Sequence, residues 1–219
     1  VYHVYFPLYS LYDFPDGYRL GHGTLRIFAS LPTPIQEFLN ERWQHAYEIN
    51  KGYAANLEEY LKDKRESTFL YIPVEAHGDE KAGQKASELA DESIHILRAV
   101  YERDFRFAEY AYVRDSERYA GGRYYDGTGW TAYSAKRDDA FAKLTDILTK
   151  ERPSELENRL RNAIRLFGFG IEATRPEVCY TLLTTALEGL LMMKGDRDYL
   201  RLKLGEKVAF LLEEGREQR

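Results

Sequence analysis

The sequence predicts an α+β protein, with an antiparallel or mixed sheet and packed helices over residues 1–150 and a partial α-helical bundle over residues 151–219. Three observations predict this class. Most of the 18 tyrosines precede residue 135, as expected of strands that have one half-exposed face. From residue 136 onward, apolar residues repeat at helical spacing. The dipeptide Arg152-Pro153 then separates the two parts and marks the boundary.

Composition limits the class of protein further. The 219 residues are 44% hydrophobic, which is enough for a substantial core, and the net charge of −5 argues against a generally basic nucleic-acid coat. A local basic groove is still compatible with this net charge, because net charge does not describe how the charges are distributed. The single cysteine, Cys179, excludes an intramolecular disulfide, and we interpret it as a small buried apolar residue. Because the sequence shows no signal peptide and no long apolar run, we expect no membrane contact and a cytoplasmic location.

Five segments of the first part are predicted to be strands. VYHVYFPLYSL and TLRIFA are rich in β-branched and aromatic residues, and Pro7 indicates that the first is an edge strand or contains a bulge. Residues 67–76 are apolar and short, as in a buried strand. Two aromatic runs on either side of residues 126–129 predict a hairpin, whose aromatic rings could stack on bases or simply form a solvated sheet face.

Histidines and glycines provide few chemical candidates in this part. His22 lies between Gly21 and Gly23, so it could be a binding residue, although a solvated loop histidine is the alternative. No second histidine or cysteine follows at metal-ligand spacing, and Gly127-x-Gly129 is too short for a phosphate loop. We therefore expect neither a metal nor a cofactor.

Two of the predicted helices, one before and one after this hairpin region, carry further candidates. Residues 80–103 carry a buried stripe of small and aliphatic side chains, and His95 lies off that stripe, which predicts an exposed or boundary histidine. A later helix begins at Ser154, because Glu157 three residues on completes a capping box. Gly168 and Gly170 are expected to end it.

The segment from residue 176 to 193 is apolar almost all round and predicts a buried central helix. Glu188 shares one side of it with three threonines, and a buried carboxylate needs a donor from a neighbouring element. Arg161 and Arg165, one turn apart on the preceding helix, are the candidate donors. An ion pair with either of them could be functional, or it could only fix the register of the helices.

The second part resembles the start of a HEPN domain of the Apea-like kind. The resemblance rests on the capped helix SELENRLRNAIRLFGFG, on ALEGLL at residues 186–191 and on LGEKVAFLL, in that order. The first part is similar to the α/β region that precedes such domains, through the GHGTL turn and the segment at residues 75–101. This resemblance implies a helical bundle that often dimerises, and a homo-oligomer is expected here.

Many HEPN domains are metal-independent ribonucleases, and the resemblance implies RNA as a partner. Their signature is an arginine followed about four to six residues later by a histidine, a pair suited to stabilising phosphate charge and moving protons. No histidine follows His95, so the signature either lies beyond Arg219 or has been lost. The catalytic residues are therefore unknown. Glu188 matches the family glutamate as a support residue, and Arg161, Arg165 and His22 are the candidate binding residues.

Two functions follow from these observations. The first is an RNA-directed protein of prokaryotic defence or stress response, with the first part as a sensing module. The alternative is a non-catalytic interaction protein whose HEPN-like helices only dimerise. The chain begins at Val1 and its last residues contain no closing apolar element, which we interpret as a fragment of a longer protein or as omitted disordered ends.

Overall fold

The computed structural model describes residues 1–9, 11, 14–49, 55–101, 105, 109–114, 117–122, 138–192 and 204–209. The elements in chain order are β1 (Tyr2–Leu8), β2 (Arg19–Leu20), β3 (Gly23–Ile27), a 3-10 helix (Phe28–Ser30), α1 (Thr33–Ile49), α2 (Leu57–Glu66), β4 (Thr68–Val74), α3 (Asp79–Tyr101), β5 (Glu109–Arg114), β6 (Glu117–Gly122), α4 (Asp138–Thr149), α5 (Glu155–Glu172) and α6 (Pro176–Leu191), with a further helical segment over residues 204–209.

The strands form one sheet in the order β2-β3-β4-β1-β5-β6, and every neighbouring pair is antiparallel. The predicted α+β class is confirmed. β1 is a central strand, which corrects the expectation that Pro7 places it at an edge. The reason is local: β5 pairs only with residues 3–5 of β1, so Pro7 lies beyond that ladder and faces only Phe69 of β4. A residue without an N–H is tolerated there.

Both faces of the sheet are covered by helices. Residues of β1 alternate between the faces, so Val4, Phe6 and Leu8 enter a core shared with α3 and α4, whereas Tyr5 enters a second core with α1. Trp43 of α1 is the largest side chain of that second core. The sheet is therefore the middle layer of three, as an α+β domain with a two-sided sheet requires.

A further helical layer lies outside α3. α5 packs on α3 and on α4, and α6 packs on α5. Helix α3 is consequently covered on two sides, which explains why its buried residues extend all round it. The predicted division after residue 150 stays a prediction, and α5 is docked directly on the part that precedes it.

The predicted start of α5 is confirmed. Ser154 Oγ accepts a hydrogen bond from the Glu157 N–H, and Glu157 Oε2 accepts one from the Ser154 N–H, at 3.3 and 2.7 Å. Lys150 Nζ donates to the same carboxylate at 2.6 Å. These hydrogen bonds, that from Lys150 first, lower the pKa of Glu157 to about 2. The prediction that Gly168 and Gly170 end this helix is wrong, because α5 continues through both to Glu172.

The prediction of a buried central helix is also wrong for α6. Ala186 is its one buried residue, and the side chain of Cys179, expected to be buried, is half-buried. The physical reason is that, among the described elements, α6 packs mainly on α5, so most of its residues are exposed or half-buried. Hydrophobic content alone could not reveal this position.

Two other predictions fall partly outside the described residues. A hairpin exists, but it is formed by β5 and β6, and the predicted turn at residues 126–129 lies outside the part that the structure describes. The predicted third helix of the second part is described only at residues 204–209.

Candidate functional site

The turn between β2 and β3 carries His22 onto helix α3. Gly21 has φ +55°, and a Cβ at this position would lie 2.6 Å from Ser93 Oγ, so both conformation and space require glycine. The His22 N–H donates to Ser93 Oγ at 2.9 Å, and the Gly21 N–H donates to Thr145 Oγ1 at 3.0 Å. The turn is thus fixed to α3 and α4, and the imidazole of His22 has a defined position.

Glu92 of α3 joins two of the three predicted binding residues. One oxygen, Oε2, lies 2.8 Å from His22 Nε2, and the other, Oε1, accepts a hydrogen bond from Arg165 Nη2 at 2.5 Å. Each of these three side chains keeps between a quarter and two fifths of its surface exposed. Arg165 Nε is buried and has no hydrogen-bond partner in the described residues. His22 and Arg165 therefore meet at one partly exposed carboxylate.

Arg161, the third predicted binding residue, lies elsewhere. Its guanidinium donates to the carbonyl oxygens of Ile147, at 2.6 Å, and Lys150. These carbonyls end α4, where the helix leaves its last acceptors unpaired and a cation is favourable. Arg161 thus holds α4 against α5 and is not part of the group around Glu92.

Glu188 is half-buried on α6, and no side-chain donor from the described residues is within hydrogen-bonding distance of its carboxylate. The expected ion pair with Arg161 or Arg165 is therefore not formed. Arg159, which is not among the predicted binding residues, reaches α6 instead. It donates to the carbonyl oxygens of Gly189, Leu190 and Met192 at 2.9, 2.5 and 2.6 Å, so it caps the end of that helix.

A second polar group lies next to Glu92 along the α3–α5 contact. Arg98 is only 3% exposed and pairs with Glu172 of α5 at 3.2 Å. Its Nε also donates to the Phe105 carbonyl oxygen at 3.1 Å. His95 lies between the two ion pairs and is 2% exposed, which overturns the expectation of an exposed or boundary histidine. The reason is that α5 covers this side of α3.

Sequence reasoning missed this second group, although a signal was present. Glu92, His95 and Arg98 are spaced three residues apart, which places them near one another on the same face of α3. Arg165, Gly168 and Glu172 have a matching spacing on α5, with charges that complement those of α3. Only knowledge that α3 and α5 are neighbours turns the two spacings into a contact.

The arrangement around Glu92 has a definite chemical capability. A carboxylate that accepts the Nε2–H of an imidazole orients the ring and leaves Nδ1 free to take a proton. The adjacent guanidinium of Arg165 could contact an anion. The charge of Arg165 is offset by Glu92, however, so this group by itself attracts anions only weakly.

Within the described ranges no cluster of His, Cys, Asp and Glu is placed to hold a metal ion. None of the helices in the described part of the chain has both the length and the apolar character that crossing a membrane requires. Comparisons with family models, with curated proteins and with solved structures find no match to this chain.

Proposed function

We propose that this chain is a HEPN-like interaction protein that self-associates through helices α5 and α6. The observation that carries this proposal is the exposure of α6. Tyr180 is 74% exposed and Leu187 and Val178 are each 45% exposed, on a helix that is apolar almost all round. Apolar helix surface of this kind is stabilised when a second helix covers it.

Spacing on α6 supports a helical partner. Tyr180 and Leu187 are seven residues apart, so they lie close together on one side of the helix. The Thr184 hydroxyl between them donates to the Tyr180 carbonyl oxygen at 2.8 Å, which satisfies its donor within the helix. A second copy of α6 could cover this side. The expected homo-oligomer and a cytoplasmic location are part of the same proposal.

The experiment that tests self-association compares two matched substitutions on α6. Leu187→Glu changes the Tyr180 side of the helix, whereas Val178→Glu changes a residue of equal exposure on another side. Analytical ultracentrifugation should show a dimer for the unchanged chain and for Val178→Glu, and a monomer for Leu187→Glu. A monomeric unchanged chain at ~100 μM, a concentration at which even a weak specific dimer would be populated, would contradict the proposal.

The second candidate is an RNA-directed, HEPN-like protein of prokaryotic defence or stress response. One observation favours it: Glu92 holds a histidine and an arginine side by side. An imidazole can take a proton from a 2′-OH while a guanidinium stabilises phosphate charge, and neither step needs a metal. We rank this function second, because Arg161 and Arg165 donate to protein groups rather than lining an open basic surface.

RNA binding and cleavage can be tested separately. Affinity for single-stranded RNA should fall as salt rises, since phosphate contacts release counterions. Cleavage in the presence of EDTA should be lost in His22→Gln and retained in His45→Gln, because His45 is exposed on α1 and lies outside the Glu92 group. Absence of salt-dependent RNA affinity, or cleavage that persists in His22→Gln, would contradict this second candidate.

A further inference from the structure

The contact between α3 and α5 consists of three residue pairs. Glu92 pairs with Arg165, His95 packs on Gly168, and Arg98 pairs with Glu172. Residue numbers rise together in the two helices, so α3 and α5 run in the same direction along this contact. Few other residues of α5 are buried: Ala163, Ile164 and Gly170 complete the set among the described residues. A helix pair with so few fully buried residues is expected to open more readily than the core.

The middle pair, His95 and Gly168, makes the closest contact of the three. A Cβ added at Gly168 would lie 2.0 Å from His95 Nδ1, so the imidazole lies directly against the backbone of α5. The ring of Phe169 meets the imidazole edge-on, with 4.7 Å between ring centroids. Arg98 Nη1 lies 3.4 Å from the same Nδ1. Because a guanidinium can only donate, Nδ1 must accept, and the neutral ring carries its proton on Nε2.

Protonation of His95 would turn Nδ1 from a hydrogen-bond acceptor into a donor. A proton on Nδ1 would point at the Arg98 guanidinium, with no acceptor in its place and no room against Gly168. The other charged or titratable groups around His95 are Glu92 on α3 and Arg165 and Glu172 on α5. His22 of the β2–β3 turn lies on the far side of Glu92. Each carboxylate already pairs with an arginine, so together they offset a third positive charge only in part.

We propose that α5 and α6 form an acid-released unit, which detaches from α3 when His95 is protonated. This inference concerns how the helix pair is held on the sheet domain, and it goes beyond self-association because it is independent of what α6 binds. Acid would expose the side of α5 that now covers His95 and Arg98, while the sheet and its two cores stay folded.

The titration of His95 agrees with this geometry. Burial, followed by the positive charge of Arg98, lowers the pKa of His95 from 6.5 to about 4. A histidine exposed by opening regains its ordinary pKa, so the opened state binds protons that the docked state does not. The opening equilibrium should therefore rise about tenfold for each pH unit between about 6.5 and about 4, and it should be independent of pH above that range.

Hydrogen–deuterium exchange of the intact chain tests the proposal, with rates corrected for the intrinsic effect of pH. Peptides from α5 should lose protection about tenfold per unit as the pH falls from about 6.5, whereas peptides from β1 and β4 should keep theirs. In His95→Gln the amide oxygen still accepts from Arg98 but cannot titrate. Protection of α5 should then be flat over this range.

Controls separate His95 from the other groups. His95→Gln retains Glu92, Glu172 and His22, so an acid response caused by those groups would persist in it and would overturn the proposal. His45→Gln removes an exposed imidazole and should keep the unchanged profile. Loss of β1 and β4 protection in step with α5 would also overturn it. Should His95→Gln fail to fold, the NMR titration of His95 in the unchanged chain decides: a pKa at or above 6.5 refutes the proposal.

Discussion

Helix α3 is covered by the sheet on one side and by α5 on the other, and the two contacts differ in chemistry. Towards the sheet, small side chains such as Ala82, Ala86 and Ala90 are fully buried among aliphatic residues of β1 and β4. Towards α5, the covered residues are His95 and Arg98. The first contact depends on apolar area, which is indifferent to pH. The second depends on charge and on the close approach of His95 to Gly168, so its stability depends on pH. One helix thus has a pH-independent contact with the sheet and a pH-dependent contact with α5.

The largest loss of stability that tests this comparison is expected from a substitution in the sheet core. Phe6→Ala removes a side chain with no exposed surface and should lower the free energy of unfolding by about 3–5 kcal/mol. Phe169→Ala removes the same ring from the α5 layer, where it is half-exposed, and should cost only about 1 kcal/mol. Urea denaturation measures both. Equal losses would mean that the two contacts of α3 do not differ in this way.

The next effect concerns the close approach itself. Gly168→Ala places a methyl group against the His95 ring, and the required shift should destabilise the protein by about 1–3 kcal/mol despite the better helix propensity of alanine. Gly189→Ala on α6 is the matched control, because a Cβ there has no neighbour within 4 Å. This control should gain up to about 1 kcal/mol. Thermal unfolding of the two variants should move in opposite directions.

A smaller effect is expected where α5 begins. Ser154→Ala removes one half of the capping box and should cost about 1 kcal/mol, whereas Asn158→Ala, at an exposed position of the same helix, should change stability by less than about 0.5 kcal/mol. Because folding lowers the pKa of Glu157, its contribution is present above about pH 4.5 and is lost as the pH falls through about 2. The difference between the variants should persist at pH 5 in chemical denaturation.

The smallest effect is expected at Glu188. A buried, paired carboxylate would cost several kcal/mol to remove, but this one is half-buried and lacks a side-chain donor in the described residues. Glu188→Ala should therefore change the free energy of unfolding by less than about 0.5 kcal/mol. A measured loss of about 2 kcal/mol or more would show that the α6 layer is as tightly packed as the sheet core, and would break the comparison.

The sequence was a good guide wherever local pattern decides structure. The capping box at Ser154, the strand over residues 67–76 and the apolar stripe of α3 are set by neighbours in the chain, and the structure confirms them. Residues between 123 and 137 lie outside the described part, so the aromatic turn predicted there stays a prediction.

Sequence reasoning failed where the identity of a tertiary neighbour decides structure. Gly168 has the pattern of a helix terminator, but it lies inside α5. A glycine is needed there because His95 occupies the space that a side chain would fill. α6 has the pattern of a central helix, but Ala186 is its one buried residue. At the candidate site, His22 and Arg165 were identified individually, and Glu92, which joins them, was not. The spacing of that glutamate from His95 and Arg98 was a signal, but it indicates a contact only once α5 is known to be the neighbour of α3.

The packing of His95 on Gly168 has a consequence for how this chain can change over time. Residue 168 is constrained to glycine by the size of the side chain at residue 95, on a different helix. An alanine at residue 95 would free that space, so His95→Ala combined with Gly168→Ala should cost less than the sum of the two single changes. The two positions are therefore energetically coupled, because a side chain at residue 168 needs a smaller group than imidazole at residue 95.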